Sequence, residues 1–402
     1  MIKFSYIKKK IKDVKISDIF ATIPMFIAFV ISPLYKKKFS KTWLICEEKK
    51  EARDNGYWFY KYIVENRKEQ DCVYAIDKKS VDYYKVKHLG KVIQYGSLMH
   101  WIIYLTCEYN ISSQKGGKPN AALCAFLELN GIRNKHNIFL QHGIIINDLK
   151  WLYADKSNFE MFITSTRPEK KFVEDNFGYK KGVIKLTGMP RFDNLHRNIT
   201  KKNRIIIMPT WRSWLNLKSQ RKIGLNSNFE TSEYLVRWKE LLESNRLNDL
   251  IDKHNLEIIF YPHRNMQRYL DKFTSNLNSK VIIASWKDYD LQELLLTSSI
   301  MITDYSSVFF DMVYMKKPII FYQFDVDDFR NGQYEEGYFD YDNNCFGKSC
   351  KTCDETINEL EKIISNGNSV SDIYLAEHKN LFQYYDDKNC ERIFNEIKRM
   401  RK

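Results

Sequence analysis

The sequence predicts an α/β chain built from two tandem, doubly wound, Rossmann-like lobes. Three observations carry that expectation. Short apolar runs recur along the chain, too short for helices and bounded by turn residues. Segments of helical spacing lie between them, an alternation that builds parallel sheets covered by helices. At 402 residues the chain exceeds one ordinary hydrophobic core, so two domains are expected. A hydrophobic content of 44% can fill two cores, and 15 Gly and 8 Pro without a repeat argue against disorder or a solenoid.

Residues 1–40 form a segment of their own. Lys3, Lys8, Lys9, Lys10, Lys12, Lys15, Lys36, Lys37 and Lys38, with Lys41 just beyond, face only Asp13 and Asp18 and hold over half of the net charge of +14. Between the Lys clusters, Ile19–Leu34 is apolar apart from Thr22 and Ser32 and carries Pro24 and Pro33. It is shorter than the ~20 residues a spanning helix needs. No small-residue cleavage site follows it, so a signal peptide is a poor fit. An interfacial helix on an anionic membrane surface is expected, since apolar burial and nearby lysines act together there. Nucleic acid is not the expected partner, because aromatic residues are not interleaved with the charges as stacking platforms. Cys350-Lys-Thr-Cys353 has no second pair or spaced histidines, so no metal site is expected, and reduced thiols are the simpler account of the eight cysteines.

The first lobe, residues 41–195, is expected to contain strands at Thr42–Cys46, Cys72–Ile76, Lys91–Tyr95, Glu108–Ser112, Asn137–Leu140, Met161–Thr164 and Val183–Thr187. Helical spacing covers Gly56–Asn66 and Asn120–Asn130. The charged connection Asn194–Asn203, polar or basic apart from Leu195 and Ile199, marks the boundary. The second lobe, residues 196–374, has expected strands at Arg204–Met208, Glu257–Tyr261, Lys280–Ala284, Ser299–Ile302 and Pro318–Tyr322, with helices at Ser232–Asn245 and Leu291–Leu296. Residues 375–402 read as a helical segment returning to the first lobe.

Four of these strands end in polar residues at one topological edge, where open α/β sheets bind ligands. They deliver Gln141-His142-Gly143, Pro209-Thr210-Trp211-Arg212, Pro262-His263-Arg264 and Thr303-Asp304-Tyr305-Ser306-Ser307. An isolated His at a strand end is more often structural, and Asp304 or Ser306 alone would be an ordinary helix cap. Together they point to a site, in the cleft between two such lobes. The chemistry implied is anionic. His263, Arg264 and Arg212 opposite a Ser-rich helix start suit a diphosphate. His142, followed by Gly143, is placed to act as a general base on an acceptor hydroxyl. No Gly-x-x-x-x-Gly-Lys-Ser/Thr loop, Gly-x-Gly-x-x-Gly fingerprint or Gly-x-Ser-x-Gly elbow occurs, which excludes the common nucleotide-hydrolase, dinucleotide and serine-hydrolase signatures.

The segments QHGIIINDLKW (Gln141–Trp151), LTGMPRFDNL (Leu186–Leu195), PTWR, YPHR, TDYSSVFFD and ARDNGYWFYKY (Ala52–Tyr62) together resemble the CDP-glycerol glycerophosphotransferases, which include teichoic-acid primases and polymerases and capsule-synthesis relatives. The resemblance spans roughly Lys41 to Tyr338. It implies a two-lobed GT-B fold at the cytoplasmic face of the cell membrane, and transfer of a polyol phosphate, glycerol or ribitol, from a CDP-activated donor with release of CMP. The implied acceptor is a lipid-linked wall or capsule polymer precursor. His142 is then the implied base, and His263 and Arg212 contact the diphosphate. Arg264, Thr303, Ser306 and Ser307 join them on the donor side. Asp304 is expected to cap the turn or hold a hydroxyl, and Asp311, on the following helix, to face the same pocket. Gly143, Asn147, Asp148 and Arg191 lie in the matched segments as acceptor-side candidates. No cofactor is firmly implied; Mg2+ would enter with the donor diphosphate. The alternative on the same fold is a glycosyltransferase using a nucleotide sugar.

Overall fold

The computed structural model describes residues 16–132, 136–197, 199–201, 203–215 and 228–400; the basic residues Lys3 to Lys15 lie outside them. The strands are β1 (Trp43–Cys46), β2 (Cys72–Ile76), β3 (Val92–Gln94), β4 (Tyr109–Ser112), β5 (His136–Phe139), β6 (Asn147–Asp148), β7 (Met161–Thr164) and β8 (Ile184–Leu186). The series continues with β9 (Arg204–Met208), β10 (Glu257–Phe260), β11 (Val281–Ile283), β12 (Ile300–Thr303), β13 (Ile319–Tyr322), β14 (Glu335–Glu336) and β15 (Gly347–Cys350). Every strand expected from the sequence is present to within a residue at each end. The chain divides into two compact units. One comprises the chain up to His142, Lys150–Asn194 and Asp386 onward; the other comprises Gly143–Leu149 and Leu195–Tyr385.

The first unit holds a seven-stranded, wholly parallel sheet in the order β3-β2-β1-β4-β5-β7-β8. β1, β2 and β4 are buried throughout, as strands covered on both faces must be. The order reverses between β1 and β4, the switch point at which such sheets open a crevice. On one face, Trp101, Ile102 and Leu105 of the helix Leu98–Thr106 pack with Leu44, Cys46 and Val73. The N-terminal helix Ile16–Phe39 adds Met25, Ala28 and Phe39 to the same core. Its other face leaves Phe20, Ile23, Phe26, Ile27, Val30 and Leu34 exposed, with Leu34 at 82%. This helix has 24 residues, and Phe20–Phe39 is long and apolar enough to cross a membrane by length and composition, which corrects the shorter stretch read from the sequence. Pro24 and Pro33 sit within it, and Lys36–Lys38 form its last turn rather than a flank.

The second unit holds a six-stranded parallel sheet, β11-β10-β9-β12-β13-β15, with its switch point between β9 and β12. Ile205, Ile207, Ile258 and Phe260 meet Trp238, Leu241 and Leu250 from the helices Glu233–Leu242 and Asn245–His254 in its core. A two-stranded antiparallel pair, β6 with β14, joins Asn147–Asp148 to this unit. The segment 375–402 is two helices rather than one: Asp372–Leu381 and Asn389–Arg399. Phe382 ends the first by turning extended and burying its ring 5.4 Å from that of Tyr314. The second belongs to the first unit, where Asn389 and Cys390 donate backbone N–H groups to Asp193 at 2.8 and 2.9 Å.

Candidate functional site

In the first unit the candidate chemistry centres on the residues after β5. Gln141 takes a left-handed conformation with φ 57°, which turns the chain off the sheet and leaves the His142 side chain exposed. Such a conformation costs a non-glycine residue about 1–3 kcal/mol, so the surroundings must hold it. They do. The buried Gln141 amide donates to Ile163 O and, at 3.1 Å, to Glu169 Oε1. Asn55 Nδ2 donates to Leu140 O (3.2 Å) and Gln141 O (2.8 Å), and Arg191 Nη1 donates to His142 O (3.0 Å). Arg191 Nη1 also meets Asp54 Oδ1 at 2.8 Å. Burial pushes the Asp54 carboxyl up, while the charge of Arg191 and then the neighbouring His142 pull it down. Beneath this group Glu47, at the end of β1, accepts backbone N–H bonds from Arg53 (3.0 Å), Asp54 (3.2 Å) and Tyr57 (2.6 Å). Burial, and then the Asp54 charge, push the Glu47 carboxyl up. Gly56 permits this approach, since a Cβ there would stand 2.8 Å from Glu47 Cγ.

In the second unit, three strand ends are tied side by side. His263 N donates to Pro209 O at 2.9 Å, and Thr210 N donates to Asp304 Oδ1 at 2.8 Å. His263 is half-buried; its Nδ1 accepts from Asn265 N at 3.2 Å, capping the 3-10 helix Arg264–Phe273. The Arg264 guanidinium is exposed and lies 4.2 Å from the Trp286 ring. Ser306 and Ser307 are half-buried at the turn into the helix Phe309–Tyr314, with Ser306 Oγ accepting from Val308 N at 3.4 Å. A Cβ on Gly143 would stand 2.8 Å from Ser307 Oγ, so only glycine fits there without displacing that hydroxyl. His263 and Arg264 after β10, and Ser306 and Ser307 after β12, thus present imidazole, guanidinium and hydroxyl groups along the carboxyl edge of the two strands that flank β9, a donor set matched to phosphate oxygens.

Several expected ligands are instead interior. Arg212 is fully buried: Nε and Nη2 donate to Asp325 at 2.7 and 3.0 Å, Nη1 donates to Thr210 O at 2.8 Å, and Nη2 stands 2.9 Å from Asp304 Oδ2. The rings of Tyr305, Phe329 and Tyr234 surround it at 5.1, 5.2 and 5.3 Å. Burial opposes its charge, but Asp304 and Asp325 outweigh that and hold the guanidinium above its ordinary pKa. The expected diphosphate contact at Arg212 is therefore corrected to a forked interior ion pair. Asp304 is fully buried and accepts from its own turn, at Tyr305 N (2.7 Å), which places it as a brace rather than a hydroxyl ligand. Thr303, expected on the donor side, is fully buried and donates its hydroxyl to Met208 O at 2.7 Å within the sheet. Asp311, expected to face the donor pocket, is instead fully buried, its Oδ2 accepting from Gln292 Nε2 at 3.3 Å. Arg191, at 2% exposure, is a support for the His142 backbone rather than an acceptor contact. Asn147 and Asp148 pair with β14 in the second unit, where Arg330 donates to Asn147 Oδ1 at 3.0 Å. Sequence reasoning missed Asn55, Asp54 and Asp325; ARDNG, read only as a matched segment, held the first two. Among the described residues, no group of three or more His, Cys, Asp or Glu side chains is arranged to hold a metal ion.

Residues 25–399 match the sequence model of the CDP-glycerol:poly(glycerophosphate) glycerophosphotransferases. The minor teichoic acid biosynthesis protein GgaB of Bacillus subtilis (strain 168) is 33% identical over 363 residues, covering 88% of this chain and 39% of GgaB. This chain therefore spans about two-fifths of that relative's length. The teichoic acid poly(glycerol phosphate) polymerase of Bacillus spizizenii is 25% identical over 333 residues, 75% of this chain and 78% of that protein. Among solved structures, a variant of the wall teichoic acid polymerase TagF superposes with a TM-score of 0.68 at 18% identity, covering 97% of this chain and all of the TagF chain. A putative UDP-N-acetylglucosamine 2-epimerase from Listeria monocytogenes reaches 0.54 at 11% identity, covering 90% of this chain and 96% of that one. Both likenesses speak to the fold.

Proposed function

The chain belongs to the CDP-glycerol:poly(glycerophosphate) glycerophosphotransferase family, and from that premise we propose that it transfers a polyol phosphate from a CDP-activated donor to a polymer hydroxyl. The observation that carries this reading is His142, an exposed imidazole on a backbone held by buried donors. In the proposed reaction His142 takes the proton of the acceptor hydroxyl. The oxygen attacks the donor's distal phosphorus, that phosphorus–oxygen bond to CMP breaks, and CMP leaves. His263, Arg264, Ser306 and Ser307 stabilise the charge that develops on the diphosphate. The relatives include poly(glycerol phosphate) and ribitol-phosphate polymerases, and a TagF variant was soaked with CDPG. Glycerol phosphate is our proposed cargo, a teichoic-acid or capsule precursor our proposed acceptor, and any Mg2+ would arrive with the diphosphate. Purified protein incubated with CDP-glycerol, CDP-ribitol and UDP-sugars, with polymer acceptor and with or without chelator, is expected to release CMP from a CDP-polyol. Release of UDP with no CMP would instead favour a nucleotide-sugar glycosyltransferase.

We further propose that this chemistry takes place at the cytoplasmic face of the cell membrane. The exposed apolar face of the helix Ile16–Phe39 ends beside the exposed Lys36, Lys37, Lys38 and Lys41, the pairing that favours an anionic bilayer surface. Each large apolar side chain inserted contributes about 1.5–3 kcal/mol. Phe26→Glu, Val30→Glu and Leu34→Glu together should lower partitioning onto phosphatidylglycerol vesicles at least about a hundredfold. Unchanged sedimentation of the triple variant would remove this face from the membrane contact.

A further inference from the structure

We propose that Asn55 positions His142 for proton abstraction by fixing the backbone of Leu140–His142, a role that rests on the base function proposed above. β5 ends at Phe139, and the left-handed turn at Gln141 takes the next carbonyls away from the ordinary strand ladder. A buried carbonyl left without a donor costs about 1–3 kcal/mol. Three successive carbonyls here receive side-chain donors: Leu140 and Gln141 from Asn55, at 3.2 and 2.8 Å, and His142 from Arg191, at 3.0 Å. The two donor residues are themselves joined, since Arg191 N donates to Asn55 Oδ1 at 3.1 Å. Both are buried, Asn55 at 0% and Arg191 at 2% exposure.

The amide of Asn55 thus gives its NH2 to this segment and its Oδ1 to the backbone of Arg191, which holds the third carbonyl. The helix that Asn55 opens has its cap from Asp54, whose Oδ1 accepts from Asn55 N at 2.8 Å. Only a short side chain carrying NH2 and C=O together satisfies the arrangement. Aspartate would set a second oxygen against two carbonyl oxygens, alanine would leave the three groups unpaired, and glutamine would need an extra methylene of room. A misplacement of about 1 Å at a reacting group can cost on the order of a hundredfold in rate.

The test is a double-mutant cycle on the full chain, reading CMP release from CDP-glycerol for the wild type, Asn55→Ala, His142→Ala and the double variant. Thermal unfolding of each serves as the control for folding. Asn55→Ala is expected to lower kcat on the order of a hundredfold with donor KM within about threefold, and to add nothing once His142 is alanine. Losses that multiply in the double variant, or a near-normal kcat for Asn55→Ala, overturn the positioning role while leaving the transferase reading intact. A wild-type chain that releases no CMP overturns both. Should Asn55→Ala not fold, the cycle is run with Arg191→Lys, which withdraws the donor from His142 O but keeps the charge beside Asp54, and the same outcomes decide.

Discussion

His142→Ala is expected to lower turnover by about 10²–10⁴-fold, the usual contribution of a positioned general base. Donor affinity, measured by calorimetry, should stay within a few fold, because the donor groups in this account are His263, Arg264, Ser306 and Ser307 of the other unit. The imidazole is exposed while the backbone on which it stands is held by Asn55 and Arg191. Its removal deletes a reacting group without opening a cavity. The folding transition should therefore be unchanged. Near-normal CMP release by His142→Ala would refute the base role.

Arg212→Ala is expected to act in the opposite way, on stability before activity. Removing one partner of a buried ion pair costs about 3–5 kcal/mol because the other charges stay buried and uncompensated. Here Asp304 and Asp325 would both be left without their cation, and the rings of Tyr305 and Phe329 without the group they pack around. For a unit of this size the loss corresponds to a fall of about 6–20 °C in the midpoint of its thermal transition. Arg212→Lys, which keeps the charge but cannot make the fork to Asp325, should fall between the two. The opposite pattern, an unchanged midpoint with weakened donor binding, would restore Arg212 as a diphosphate ligand.

The contrast between His142 and Arg212 shows what was legible in the sequence. Both follow strands that apolar runs such as Arg204–Met208 announce, and both sit at the edge where ligands bind. A sequence places a residue at a strand end but does not say whether its partner is substrate or protein. The carboxylate that claims Arg212 is Asp325, 113 residues further on, and Arg191 reaches Asp54 across 137 residues. Pairings at such separations follow from the topology and leave no local pattern. Asn55 was hidden for the same reason, its acceptors lying 85 and 86 residues away. β15 was missed because Gly347-Lys348-Ser349-Cys350 has no β-branched residue and buries only its last position. β6 and β14 escaped because two polar residues each carry no periodicity. The N-terminal apolar stretch was legible as a helix of its own composition, but the helix runs on through the lysines to Phe39, so composition alone ended it too early.

In the proposed reaction phosphorus, and not only a polyol, moves from donor to acceptor. This is tested most directly by CDP-glycerol carrying 32P in the phosphate next to glycerol, incubated with the full chain and a polymer acceptor on vesicles. Attack at that phosphorus places the label in the polymer and releases unlabelled CMP. Label retained on the nucleotide as CDP would mean that the bond to carbon was broken instead, and would contradict the account.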